Sequence, residues 1–127
     1  MKIFCFFIPF VLLFSCEGYD FKLRVKNSLP HDVYVVYYDT TTLSDYPNAS
    51  LDSDLVKSDS IKSIPIFGTW TGFVNTSRNK KLNLFVIHAD TVDKYPTDTI
   101  IQRQLYSKQV SYTLQELEQM AWVVEIK

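Results

Sequence analysis

The sequence predicts a β-rich α+β fold, a small antiparallel β-sandwich-like domain with two short helices in its C-terminal half. Three observations point there. Tyr, Phe, Val and Ile are abundant and fall in short runs suited to strands. Phe21-Lys22-Leu23-Arg24-Val25-Lys26 alternates apolar and charged residues with period two. Strand segments outnumber helical ones, and no strand–helix–strand alternation recurs along the chain.

Taken in order, Phe21 to Lys26 reads as a strand with one face in the core and one in water. Asn27-Ser28-Leu29-Pro30 turns the chain, and Val33-Tyr34-Val35-Val36-Tyr37-Tyr38 is apolar on both faces, as a central strand is. Residues 39–60 are dominated by Asp, Ser, Thr and Asn with Pro47, and are expected to form a long, mobile, solvent-exposed polar loop. Strand character resumes from Ile61 to Phe67. Pro65 cannot donate a ladder hydrogen bond, so that piece belongs at an edge or a bulge. Thr69 to Val74 is expected to pair nearby as a further strand, with Gly68 and Gly72 at bends.

Ser77 to Lys81 reads as a turn, and Leu82-Asn83-Leu84-Phe85-Val86-Ile87 as the central strand of the second half. Asp90 to Asp98 is expected to turn into a short helix running to about Gln104, with a strand within Leu105 to Tyr112. Thr113-Leu114-Gln115-Glu116 has the form of a capping box, with Tyr112 and Leu117 at the positions of a hydrophobic staple. Leu114, Leu117 and Met120 give that helix one apolar face. Ala121 to Ile126 closes the chain as a strand with Trp122 in the core.

The first residues carry a different message. Lys2 precedes an apolar stretch from Ile3 to Phe14, followed by Ser15 and Cys16, which is the order of a secretory signal peptide. The stretch is interrupted by Pro9 and falls short of the roughly 20 apolar residues that a spanning helix needs. Leu13-Phe14-Ser15-Cys16 resembles the lipobox of bacterial lipoproteins, although Phe14 departs from its usual small or β-branched residue. The resemblance implies cleavage before Cys16 and lipid on its sulfur. The expected organisation is therefore a cleaved signal peptide at 1–15, a lipidated N-terminus and short tether at 16–19, and one globular domain at 20–127. Two or more acyl chains hold a protein stably to a bilayer, so the expected partner is a membrane reached through Cys16.

The lipobox, Leu82 to Ile87, Asp90-Thr91 with Lys94-Tyr95, and Tyr112 to Leu117 followed by Trp122 and Val124 together resemble the small envelope lipoproteins of the Bacteroidota. That resemblance implies an address, the bacterial cell envelope at the outer membrane, and a fold class. It brings no activity, cofactor or site residue. Glu17 and Asp20 resemble a thin version of a surface-export signal in such bacteria, leaving the periplasmic and surface faces both open.

Formal charge is −1 over the whole chain, and no basic stripe exists, so nucleic acid is not an expected partner. Only three glycines occur, Gly18, Gly68 and Gly72, which is too few for a phosphate-cradling loop or a nucleophile elbow. Beyond the cysteine, His31 and His88 are the only imidazole or thiol ligands of the mature chain, so no metal or cofactor is expected. Asp52-Ser53-Asp54 lacks the later glycine and glutamate of a calcium loop. The carboxylate groups Asp90, Asp93, Asp98 and Asp52, Asp54, Asp59 could in principle supply a hydrolytic dyad, but acids in Ser/Thr-rich loops usually serve turns and caps.

Two classes of function follow. The preferred one is a non-catalytic binding or assembly module that meets envelope proteins or glycans. Its candidate ligand-binding residue is Trp70, placed by Gly68-Thr69-Trp70-Thr71-Gly72 at an expected hairpin tip. The alternative is a small carboxylate-dependent hydrolase acting on envelope glycans, for which no catalytic residue can be named. Finally, Asp39-Thr40-Thr41, Asp59-Ser60-Ile61, Asp90-Thr91-Val92 and Asp98-Thr99-Ile100 resemble the acceptor motif of protein O-glycosylation in the Bacteroidota. Thr40, Ser60, Thr91 and Thr99 are the candidate acceptors, with Thr40 and Ser60 expected to be the more accessible.

Overall fold

The computed structural model describes residues 18–43 and 55–127. The signal segment, Cys16 and the middle of the expected polar loop lie outside the described residues. Among the described residues, nine strands and four short helices follow one another as β1 (Tyr19–Asp20), β2 (Arg24–Asn27), β3 (Val33–Tyr38), β4 (Leu55–Val56), β5 (Ser60–Ser63), β6 (Ile66–Phe67), α1 (Trp70–Thr76), β7 (Leu82–His88), α2 (Ala89–Lys94), α3 (Thr97–Arg103), β8 (Lys108–Tyr112), α4 (Leu114–Gln119) and β9 (Val123–Ile126). The β-rich α+β class is as the sequence predicts.

Two sheets face each other. The larger has the order β4-β3-β7-β8 and is antiparallel throughout. The smaller has the order β5-β2-β9, with β2 antiparallel to β5 and parallel to β9. Between them lies the main core, where Leu23, Val25, Val124 and Ile126 from one side meet Val33, Val35, Leu82, Leu84 and Val86 from the other. The continuous apolar runs of β3 and β7 bury both of their faces. Tyr34, Val36, Phe85 and Ile87 point away from the sandwich into a second core closed by Leu43 and Ile100. The one-sided strand β2 keeps Arg24 and Lys26 in water and Val25 inside, as its alternation requires. Phe21 breaks that pattern: the strand starts only at Arg24, and Phe21 is turned out to solvent.

Three local differences from the sequence reading have physical causes. Thr69 to Val74 is not a strand. Thr69 caps a helix, its hydroxyl accepting from the Gly72 N–H at 3.0 Å, and Trp70 and Val74 are fully buried from that helix. Trp70, Phe73 and Val74 have the i, i+3, i+4 spacing of one helical face, which outweighs the turn signal of the two glycines. The second difference is in number: four helices form rather than two, and the stretch after β7 is already helical at Ala89, splitting into α2 and α3 at Tyr95-Pro96.

Third, the polar loop is anchored at both of its described ends. Leu43 is fully buried, and Gln104 grips its backbone from the end of α3, the Gln104 Nε2 donating to Leu43 O at 2.6 Å and the Leu43 N–H donating to Gln104 Oε1 at 3.3 Å. Val56 is also fully buried, in β4 at the edge of the larger sheet.

The expected capping box is present. The Glu116 N–H donates to Thr113 Oγ1 and the Thr113 N–H to Glu116 Oε1, each at 3.2 Å. Tyr112 and Leu117 pack into the main core as the staple predicts. Burial, with Glu116 nearby as the lesser cause, raises the pKa of the Tyr112 hydroxyl above its ordinary value. Trp122 is in the core, 3% exposed, although it sits in the turn before β9 rather than in the strand itself.

Candidate functional site

Two of the cavities among the described residues gather the candidate chemistry. The first cavity, ≈ 340 Å³, is lined by Tyr37, Tyr38, Asp39, Phe73, Thr76 and Ser77. It forms where β3 leaves the larger sheet beside α1. Tyr37 is fixed from behind, its ring edge-on to Trp70 at 4.8 Å and to Phe73 at 5.3 Å between centroids. Asp39 is held by the Arg78 Nε at 3.2 Å, and the Arg78 N–H donates to the Asp39 carbonyl at 3.1 Å. Ser77 is buried, its hydroxyl shared between the carbonyls of Val74 and Lys81, both at 2.9 Å. Aromatic walls with a carboxylate and hydroxyls at the rim can stack on an apolar face while accepting from its hydroxyls.

The second cavity, ≈ 210 Å³, is polar and lined by His31, Asp32, His88, Ala89, Asp90 and Asp93. His88 ends β7 opposite Val33, and His31 lies just before β3, so the register of the two strands brings the imidazoles together. They stack at 4.0 Å between centroids with their planes 24° apart. Asp32 accepts the Ser58 N–H at 2.8 Å, and its carbonyl accepts the Ala89 N–H at 3.1 Å, which fixes the start of α2 against β3. The His31 Nε2 is buried without a hydrogen-bond partner among the described residues. Nothing in the sequence brought His31 and His88 together, because 57 positions separate them and only the β3–β7 register closes the gap. Among the described residues no set of three or more His, Cys, Asp or Glu converges to hold a metal ion.

The sequence-derived sites are dispersed. Trp70 is not displayed at a hairpin tip: it is fully buried, and its indole N–H donates to the Ile64 carbonyl at 3.0 Å. A ring that opens a helix in the core cannot meet a sugar, so the ligand-binding expectation at Trp70 is withdrawn. The four acceptor hydroxyls also differ from expectation, since Thr40, Ser60, Thr91 and Thr99 are all half-buried and exposure does not set the first two apart. Thr40 Oγ1 donates to the Thr42 carbonyl at 3.1 Å and Ser60 Oγ to the Lys57 carbonyl at 2.6 Å, each folded back on its own turn. Asp90 and Asp98 lie in the first turns of α2 and α3, where a helix favours negative charge. Asp52 and Asp54 lie outside the described residues, while Asp59 sits exposed in a turn with φ 56°.

No helix among the described residues is long and apolar enough to cross a membrane. Comparison with protein-family models, with curated proteins and with solved structures finds no match to this chain.

Proposed function

We propose that the chain is a lipid-anchored envelope protein whose domain works by binding rather than by catalysis. The address rests on the sequence of residues 1–16, a charged start, a short apolar core and Ser15-Cys16. The binding class rests on one structural observation, the cavity of ≈ 340 Å³ walled by Tyr37, Tyr38 and Phe73 with Asp39 at its rim. Its size falls at the lower end of small-molecule sites, and its mixture of aromatic faces with a few acceptors suits a sugar ring of an envelope glycan.

Two measurements test this. Cys16→Ser removes the thiol that would receive lipid, so the variant loses fatty-acid label and no longer partitions with membranes; label kept on the serine variant ends the address. Titrating the protein with envelope glycan fragments should give saturable binding that Asp39→Asn weakens several-fold while lowering the melting temperature only slightly, because the Asp39–Arg78 pair it removes is largely exposed. Equal binding by both proteins would move the ligand elsewhere.

A second reading, a carboxylate-dependent hydrolase acting on envelope glycans, draws on the polar cavity where His31 and His88 meet Asp32, Asp90 and Asp93. Release of new reducing ends from envelope glycan, abolished by Asp90→Asn, would favour it over binding. The four acid–hydroxyl triplets add a modification to the first reading: Thr40, Ser60, Thr91 and Thr99 are proposed as O-glycan acceptors. An intact mass equal to lipidated polypeptide alone would leave them as turn and helix-start chemistry.

A further inference from the structure

Four large apolar side chains are strongly exposed among the described residues, and three of them form one cluster: Tyr19 at 61%, Phe21 at 60% and Phe67 at 68%. Single exposed apolar residues are ordinary, whereas the largest contiguous apolar patch of a domain is often functional. Its construction is specific. β1 and β6 pair antiparallel with Tyr19 opposite Phe67 and Asp20 opposite Ile66. The pleat therefore sends Ile66 inward, where it is buried, and both rings outward. Tyr19 and Phe67 meet edge-on at 5.9 Å, and Phe21 joins at 6.5 Å from Tyr19. Asp20 locks the platform from below, its two oxygens accepting the Lys22 N–H and the Trp70 N–H, each at 2.9 Å. Tyr19 and Phe67 are thus held outward by a strand pair tied to α1.

We infer that the Tyr19–Phe21–Phe67 cluster seats the domain on the surface of the lipid bilayer beside its anchor. The inference deepens the lipoprotein reading and rests on it for its geometry. Tyr19 follows Cys16 by three residues. A chain spans at most about 3.6 Å per residue, so a lipidated Cys16 holds Tyr19 within about 11 Å of its attachment point. A tyrosine, with its polar hydroxyl, settles at the headgroup level, and apolar rings such as Phe21 and Phe67 enter roughly 5–10 Å into the boundary with the acyl chains. Arg24, exposed and five positions after Tyr19, adds a positive charge near this end of the domain, while the Lys22 ammonium lies over the Trp122 ring at 4.2 Å. Area argues against a protein partner. An aromatic side chain offers about 150–250 Å², so three rings at this exposure present roughly 270–450 Å², about a third to a half of the ~800 Å² per partner of a stable interface.

The test uses the full chain in bacterial cells, with Phe67→benzoylphenylalanine as a photoreactive probe and Gln102→benzoylphenylalanine, on the exposed side of α3, as the control. Both positions are exposed, and benzoylphenylalanine keeps the phenyl ring that meets Tyr19 at position 67. Irradiation should add the mass of one phospholipid to the peptide containing position 67 and none to the peptide containing position 102. A protein crosslink at position 67 in place of lipid, or no adduct there, overturns the inference. Fatty-acid labelling of the wild type is read in parallel. Label present without a lipid adduct at 67 defeats the seating and leaves the lipoprotein reading intact; label absent defeats that reading, while the adduct still decides whether the patch touches lipid.

Discussion

One face of the four-stranded sheet is covered by a second sheet and the other by two short helices, and the two covers are built to different standards. Between the sheets lie both tryptophans, and polar clamps tie the layers together. Asn27, fully buried in β2, donates from Nδ2 to the carbonyls of His31 at 2.9 Å and Val56 at 3.0 Å, while its Oδ1 accepts the Leu29 N–H at 3.0 Å. On the far face, α2 and α3 have six and seven residues, too few to persist without packing, and neither N-cap residue makes a side-chain cap hydrogen bond. Gln104 and its grip on Leu43 are the main polar tie there. A sheet can thus be dry on both faces while only one face is rigidly specified.

The comparison predicts unequal costs. Trp70→Ala removes the largest fully buried side chain from between the sheets and should destabilise by about 3–5 kcal/mol, whereas Ile100→Ala on the helical face should cost about 2 kcal/mol, because α3 can settle into the gap. Denaturant unfolding of both variants measures the difference. An equal or larger loss at Ile100 would mean that the helical layer is as tightly specified as the sandwich.

How much of this was legible follows the same division. The double-sided runs Val33 to Tyr38 and Leu82 to Ile87 announced central strands, since only burial on both faces selects unbroken apolar sequence. The charged positions of β2 and the box at Thr113 were equally plain, because each is a local rule satisfied locally. What failed needed tertiary information or was masked by a competing local signal. At Trp70 the glycines on either side suggested a hairpin, although apolar spacing at 70, 73 and 74 and a threonine cap favoured a helix. The His31–His88 stack and the platform of Tyr19 with Phe67 arise from strand register, which no window of sequence contains.

Asn27→Ala probes the tie between the sheets. It leaves the His31 and Val56 carbonyls and the Leu29 N–H without their partner, for an expected loss of about 2 kcal/mol. A variant as stable as wild type would show that the layers are held by apolar contact alone. Thr113→Ala is smaller, about 1 kcal/mol, because the cap it deletes is exposed and water can replace it. Melting curves of the two variants should rank in that order.

The smallest change should act in the opposite direction. At the end of α4 the Trp122 N–H donates to the Leu117 carbonyl at 2.9 Å and the Ala121 N–H to the Glu118 carbonyl at 3.1 Å, the paired bonds of a Schellman cap. That cap needs a left-handed residue after the helix, and the chain supplies Ala121 at φ 52°, followed by Trp122 at φ 59°. A side chain in this region costs about 1–2 kcal/mol, and glycine there surrenders roughly 0.5–1 kcal/mol of unfolded-state entropy. Ala121 is exposed, so its methyl contributes little packing. Ala121→Gly should therefore stabilise the domain by about 0.5 kcal/mol. The gain would show that burial of Trp122 between the sheets, rather than local preference, holds the strained turn. A loss of stability in Ala121→Gly would show that the left-handed turn at Ala121 carries no strain for glycine to relieve.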